Sequence, residues 1–392
     1  MTSPPATPPR EVSFYDEDWR LEDIASDCEW AEEYRPGGFH PARILLRVSG
    51  QHKVSRAHSS ELQDQIIDWR CSIPRYAVLE IMTAQSSTAF TELAILDHLS
   101  NSAPEDPNAQ HITKLLKRFH HEGPNDNHQC LVFELMGASA ASLVEELPEN
   151  IPKLWGVPQR YAKPVAKKIL IHALHGLKFM HKNGVVHGDL QPGNLLFSIE
   201  NLDEVDQQQL EQNRTDAAIP LRRIDKKTDR WLETDFYVKL SDFGAESTVT
   251  PKGLRSPEVI LKRPFGSSID IWSFGCLMYE FLTSEPLLTV MTCGYDQEHR
   301  DKADDDHLIQ LNGKIRPLPE SIMRSWSRAD RWYDLDHKQF CDFEPYKSLE
   351  QRFAKNKHPD IDDEEAATIC QLIRVILVYD PAELLKQPWF FE

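Results

Sequence analysis

The hydrophobic period changes once along these 392 residues, at Gly137. Upstream, from about Pro41 to Val132, short strand-like runs (ARILLRV, YAVLEIM and CLVF) surround one helical stretch, TAFTELAILDHLS, in which Phe90, Leu93, Leu96 and Leu99 recur at helical spacing. Downstream the pattern is helical. PVAKKILIHALHGLKFMHKNG sets Ile169, Ala173, Leu177 and Met180 on one face and meets the stop signal Asn183-Gly184. SSIDIWSFGCLMYEFLT sets Ile271, Phe274, Met278 and Phe281 on one side, with Ser267 or Ser268 as its cap. A single switch of this kind predicts an α+β, bilobal chain: a small β-rich lobe over residues 36–137 and a larger helical lobe over 138–392.

Two segments fall outside that pattern. Residues 1–35 are Pro-rich and acidic, a composition that buries too little apolar surface to offset chain entropy, and they are expected to form a disordered tail. A polar, Gln-rich stretch at about 198–235 reads as a surface insert. The net charge of −18 argues against direct nucleic-acid binding, which needs clustered Lys and Arg, and leaves basic proteins as partners. Seven scattered cysteines without CxxC spacing suggest a reducing compartment. No apolar run approaches the ~20 residues of a membrane span, and MTSPPATPPREVSFYDEDW lacks a signal-peptide core. The expectation is a protein of the cytoplasm, the nucleus or both, with no membrane partner.

Chemistry concentrates in VVHGDLQPGNLLF, residues 185–197, where a polar loop is clamped between apolar pairs. Asp189 and Asn194 lie five positions apart, a spacing that can aim both at one centre. The carboxylate can accept a proton from an attacking hydroxyl, and the carboxamide oxygen can ligate a hard cation. Further on, VKLSDFGAES puts Asp242 at a strand end, suited to a second Mg²⁺ ligand. Phosphoryl transfer uses such parts, because its catalysis is mostly positioning and charge neutralisation.

With HGDLQPGN, SDFG, RSPEVIL and DIWSFGC in that order, the chain resembles the eukaryotic protein kinases. YRPGGFHP, HEGPNDNHQCLVFELMG and GLRSPEVIL make it most similar to the fungal relatives of the serine/arginine-rich protein kinases, over roughly residues 34–392. The resemblance implies transfer of the ATP γ-phosphoryl group to Ser or Thr of protein substrates, basic and Arg-Ser-rich, by a monomer using ATP and Mg²⁺. It makes Asp189 the catalytic base and Asn194 and Asp242 the Mg²⁺ ligands, with Gln191 where the catalytic-loop Lys usually stands. Phe133 becomes the gatekeeper, the backbone of Glu134 and Met136 pairs with adenine, and Asp270 braces the loop. His120-His121 and Asp304-Asp305-Asp306 read as solvated loop residues, the three aspartates doubling as possible docking contacts.

The small lobe departs from that pattern. No GxGxxG occurs, and no glycine lies between Gly50 and Gly123. Aligning YAVLEIM with the family's VALKI strand puts Glu80 where the phosphate-pairing Lys belongs, facing Glu92 of TELAIL. Two carboxylates ~4 Å apart at an effective dielectric near ~20 repel by roughly 4 kcal/mol, so they would separate or one would take up a proton. Gly188 stands where many kinases carry an Arg, which implies independence from activation-segment phosphorylation. The segment 242–258 is short. The C-terminal ILVYDPAELLKQPWF lacks the Arg that pairs with the SPE glutamate, leaving Glu258 expected to be buried without a partner. Two alternatives stay open: a pseudokinase or scaffold that has lost the phosphate clamp, and a small-molecule phosphotransferase of the aminoglycoside or choline kinase type, which shares HGDxxxxNxL.

Overall fold

The computed structural model describes residues 36, 44–47, 53–55, 77–83, 91–102, 105–123, 125–147, 160–198, 236–243, 251–291, 296–334, 339–340 and 346–377. Strands β1 (Ile44–Arg47) and β2 (Lys53–Ser55) pair antiparallel as a two-stranded sheet. Strands β3 (Ala77–Ile81), β4 (Leu115–Gly123) and β5 (Asp126–Glu134) form an antiparallel sheet in the order β3-β5-β4. Leu79 lies opposite Val132 in the register. Together with Cys130 these two make a small core, flanked by Ala77, Ile81, Leu116 and Phe119. The strand runs around YAVLEIM and CLVF are thus where the period-2 reading puts them. β4 was not among those runs; its exposed Lys117, Arg118 and His120 interrupt the apolar pattern.

Helix α1 (Thr91–Ser102) lies between β3 and β4 in the chain but sends Leu96 and Leu99 into a second, much larger core. That core is built on a third sheet and the helices. Strands β6 (Met136–Ser139), β7 (Leu195–Ser198) and β8 (Val238–Leu240) lie antiparallel in the order β6-β7-β8. Helix α2 (Ala140–Glu146) opens with a capping box between Ser139 and Ser142. Helix α3 (Lys163–Lys182) buries Ile169, Ala173, Leu177 and Met180, as the 3.6 period predicts. It stops at Asn183, followed by Gly184 at φ +74°, a conformation glycine adopts without strain.

After the short α4 (Pro257–Ile260), helix α5 (Ser268–Thr283) buries every residue except Ser268 and Glu280. A helix apolar on all sides belongs in the middle of a core, and α5 becomes the axis on which α6 (Gln297–Lys314), α7 (Glu320–Ser325), α8 (Leu349–Asn356) and α9 (Asp363–Ile376) assemble. Its N-cap is Ser267, without a side-chain cap bond; the Ser268 hydroxyl donates to Glu258 Oε1 at 3.0 Å instead.

Two expectations about loops are corrected. His120 and His121 lie on β4, and His121 is buried. Asp304, Asp305 and Asp306 lie on α6, not in a solvated loop. Asp305 is 2% exposed and accepts Trp326 Nε1 at 2.7 Å and Arg328 Nε at 2.9 Å, so its charge is consumed inside the fold and is not available to dock a partner. Residues 1–35 and 199–235, where a tail and an insert were expected, lie outside the described residues.

Candidate active site

The polar loop between α3 and β7 is held from below by one buried carboxylate. Asp270, in the first turn of α5 and 1% exposed, accepts the backbone N–H of His187 at 2.8 Å and of Gly188 at 2.9 Å. His181 Nε2, in the last turn of α3, lies 2.7 Å from the same carboxylate. A buried charge is tolerated only when donors surround it, and these three do so. Gly188 has φ +80°, so the backbone turns toward Asp270 at a point where a side chain would be strained.

That brace presents Asp189, which is fully buried. Its Oδ2 accepts Gln191 Nε2 at 2.6 Å and Asn194 Nδ2 at 3.1 Å, and Asn194 Nδ2 also reaches the Asp189 carbonyl at 2.9 Å. Oδ1 of Asp189 is buried without a hydrogen-bond partner. Asn194 commits its NH₂ to Asp189, which leaves its amide oxygen as the acceptor for something else. The Asn194 carbonyl accepts both Ser241 N at 3.0 Å and Ser241 Oγ at 3.2 Å, tying the end of β8 to the loop.

Asp242 follows directly. It is half-buried and non-glycine at φ +64°, the left-handed region, where Asp is among the few residues that settle at modest cost. Phe243, 1% exposed, stacks edge-on against His187 with centroids 5.5 Å apart. Asp189, Gln191 and Asn194 are thus joined by side-chain hydrogen bonds, and Asp242 follows Ser241, which is tied to the Asn194 carbonyl. Sequence reasoning missed His181 and Ser241: His181 reads as an ordinary last-turn cation and Ser241 as a strand-end polar residue, with no signal of a tertiary partner.

Phe133 is half-buried against the large core. Glu134 closes β5, and its Oε1 accepts Lys114 N at 2.8 Å and Lys239 Nζ at 2.7 Å. Met136 is 4% exposed and pairs with Ser198 across β6 and β7.

Glu80 sits mid-strand in β3 opposite Leu131, and Glu92 in the first turn of α1 is 8% exposed. Glu92 Oε1 accepts the Phe243 N–H at 3.2 Å. Burial first, then the charges of Glu80 and Asp242, push the Glu92 carboxyl up to about 8, the Phe243 bond offsetting part of this. The expected conflict is resolved by a proton on Glu92 at neutral pH. Glu258, expected to be buried without a partner, is half-buried and accepts Ser268 Oγ. Its position at the start of α4 keeps it near solvent, so no charge is stranded there.

Among the described residues no group of three His, Cys, Asp or Glu could hold a metal alone. Asn194, whose amide oxygen is left to accept, and Asp242 offer oxygen donors of the kind Mg²⁺ takes, since it is usually held by one or two protein oxygens with water and phosphate completing the shell.

The site belongs to a recognisable lineage. Residues 77–385 match the family described as protein kinase domain, a match that starts at the first residue of β3 and leaves β1 and β2 ahead of it. The serine/threonine-protein kinase SRPK of Physarum polycephalum is 26% identical over 346 residues, covering 79% of this chain and 77% of that protein. Protein kinase dsk1 of Schizosaccharomyces pombe is 22% identical over 498 residues, covering 95% and 86%. The dual specificity protein kinase CLK4 of Mus musculus is 26% identical over 326 residues, 77% of this chain, which spans 57% of the mouse protein's length. With more than half of its residues inside that match, the chain belongs to the protein kinase domain family.

Proposed function

We propose that this chain is a serine/threonine protein kinase that transfers the γ-phosphoryl group of ATP to basic, Arg-Ser-rich proteins from a nucleotide site weakened on its β3 and α1 side. The observation that carries this is the state of Asp189: one carboxylate oxygen is fixed by Gln191 and Asn194, and the other is buried without a partner. A group in that state is a preorganised acceptor for the proton of an incoming Ser hydroxyl. Asp270 holds the loop backbone and so aims that oxygen. Asn194 and Asp242 would hold Mg²⁺, which when bound neutralises charge developing on the phosphates. The backbone of Glu134 and Met136 would pair with adenine.

The residues around Glu80 do not fit a triphosphate. Burial first, then the charges of Glu80 and Asp242, make the Glu92 carboxyl costly to ionise in the region where phosphates call for cations. This observation favours a second reading, a binding module that keeps the loop but turns over slowly or not at all. For substrate class, the net charge of −18 supports a basic partner, in line with the resemblance to the serine/arginine-rich protein kinases.

The test compares Arg-Ser and Glu-Ser peptides for phosphate incorporation from Mg²⁺-ATP, with Asp189→Ala as control. Incorporation into Arg-Ser alone, lost in Asp189→Ala and falling as salt rises, is the expected result. Binding of Arg-Ser without incorporation supports the second reading. Equal handling of both peptides at low salt overturns the substrate class.

A further inference from the structure

Among the described residues strand β8 is the outer strand of its sheet, with β7 on one side and, on the other, a single parallel bridge from Ile112 to Leu240. An exposed edge leaves backbone donors and acceptors to be satisfied by something else. Here two imidazoles do it. Val238 N–H donates to His172 Nδ1 at 3.1 Å, and the Val238 carbonyl accepts from His111 Nδ1 at 3.1 Å. One bond further along, the Leu240 carbonyl accepts Thr113 N at 2.9 Å. Gly176 of α3 permits this closeness: a Cβ there would lie 2.7 Å from Leu240 Cδ1 and 2.9 Å from the His111 carbonyl.

The two bonds dictate the protonation of both rings. His172 must keep Nδ1 bare to accept, which places its single proton on Nε2; His111 must carry its proton on Nδ1 to donate. A second proton on His172 can go only to Nδ1, where it removes the acceptor that Val238 uses. Protonating both rings would set two cations side by side, since their centroids are 4.6 Å apart.

The surroundings oppose both protons. His175, on the same helix as His172, stacks on His111 at 5.2 Å and its Nδ1 meets Asn108 Oδ1 at 2.7 Å. Tyr237 stacks on His172 at 5.7 Å. Lys168 and Lys178 of α3 and Lys239 of β8 add positive charge. The nearby carboxylates are engaged elsewhere: Asp106 by Lys182 and Asn108, Glu134 by Lys239. Burial, followed by these cations and neighbouring rings, holds His172 down at about 3 and His111 at about 4.

We propose that His172 and His111 are positioning residues for Asp242: as neutral rings they fasten the outer edge of β8, and protonation of His172 unfastens the strand whose end carries Asp242. The consequence for Asp242 rests on its reading as a Mg²⁺ ligand; the fastening itself does not. Acid therefore favours local opening of β8 over the closed state. An opened histidine of ordinary pKa gains about 30-fold in that equilibrium between pH 7.5 and pH 5.

Hydrogen exchange on the full chain tests this. Protection of the Val238 and Leu240 amides, corrected for intrinsic exchange, should fall at least tenfold from pH 7.5 to pH 5, while amides of α5 around Leu277 change less than threefold. In the double variant His172→Asn with His111→Asn, a carboxamide oxygen replaces the acceptor and an amide NH₂ the donor, so the bonds persist and the pH response of β8 should vanish. Should that variant not fold, ¹⁵N chemical shifts of His172 in the unaltered protein decide: the Nε2–H tautomer is expected at pH 7.5. Parallel loss of protection in β8 and α5, an undiminished response in the double variant, or an Nδ1–H tautomer at His172 overturns the proposal. Mg²⁺ binding indifferent to Asp242→Ala, with the β8 response intact, would instead count against the reading of Asp242 alone.

Discussion

The Asp189 loop and the β3–α1 face are linked through Phe243 and have opposite electrostatic economies. In the loop every buried charge has donors: Asp270 has two backbone amides and His181, and Asp189 has Gln191 and Asn194 on one oxygen. On the β3–α1 face Glu92 is buried near the charges of Glu80 and Asp242, and burial first, then those charges, hold its proton up to about 8. The loop is fixed largely through main-chain bonds that the fold itself supplies, so it persists whatever stands at position 80. On the proposed reading the phosphate clamp depends on one pair of opposite charges, which a single reversal of sign would disable. The two regions meet at Phe243, which donates to Glu92 and packs on His187.

The largest effect should come from breaking the loop. Asp270→Ala strips three donors of their acceptor at a site that is 1% exposed, and should cost on the order of 3–5 kcal/mol. Denaturant unfolding should show a lower midpoint with an unchanged slope. A change within experimental error would mean the loop is held by something other than Asp270.

Next in size is the acidic face, and its sign can be read from pH. Glu92 has a folded value near 8 against an ordinary 4.5. Its contribution to stability is therefore fully present below about pH 4.5 and is lost as pH rises through about 8. Glu92→Gln keeps an acceptor for Phe243 and removes the titration. It should exceed the unaltered protein in stability by a few kcal/mol at pH 9, the gap closing toward pH 5. The histidines on β8 slope the other way: values held near 3 and 4 mean stability lost as pH falls below the ordinary 6.5. Thermal unfolding from pH 5 to pH 9 should therefore show loss at both ends, the alkaline limb alone disappearing in Glu92→Gln.

The smallest effect concerns one bond. Gln191→Ala removes the 2.6 Å donor to Asp189 Oδ2 while leaving Asn194 in place. A neutral donor to a carboxylate is worth about 1–2 kcal/mol, so the melting temperature should drop by a few degrees. A drop as large as that of Asp270→Ala would place Gln191 inside the brace.

Much of this was legible in the sequence because it was local. The stop at Asn183-Gly184, the apolar faces of α3 and α5, and the pairing of Asp189 with Asn194 follow from spacing along one chain segment. The proton on one of the paired glutamates also followed from elementary electrostatics. What the sequence hid was tertiary. Asp305 looks like the middle of an exposed acidic run, and only the fold brings Trp326 and Arg328 onto it. Glu258 was expected to lie deeper than it does. His111 and His172 are sixty-one positions apart, and no periodicity signals that both close on Val238.

The central claim is that a competent catalytic loop faces a phosphate clamp of reversed sign. The most direct measurement is initial phosphate incorporation into an Arg-Ser peptide from Mg²⁺-ATP by four proteins: the unaltered chain, Glu80→Lys, Asp189→Ala, and the last two combined. Restoring a cation at position 80 should raise incorporation at least tenfold over the unaltered chain, and Asp189→Ala should remove it in either background. If Glu80→Lys incorporates no more than the unaltered chain, or incorporation survives Asp189→Ala, the account is contradicted.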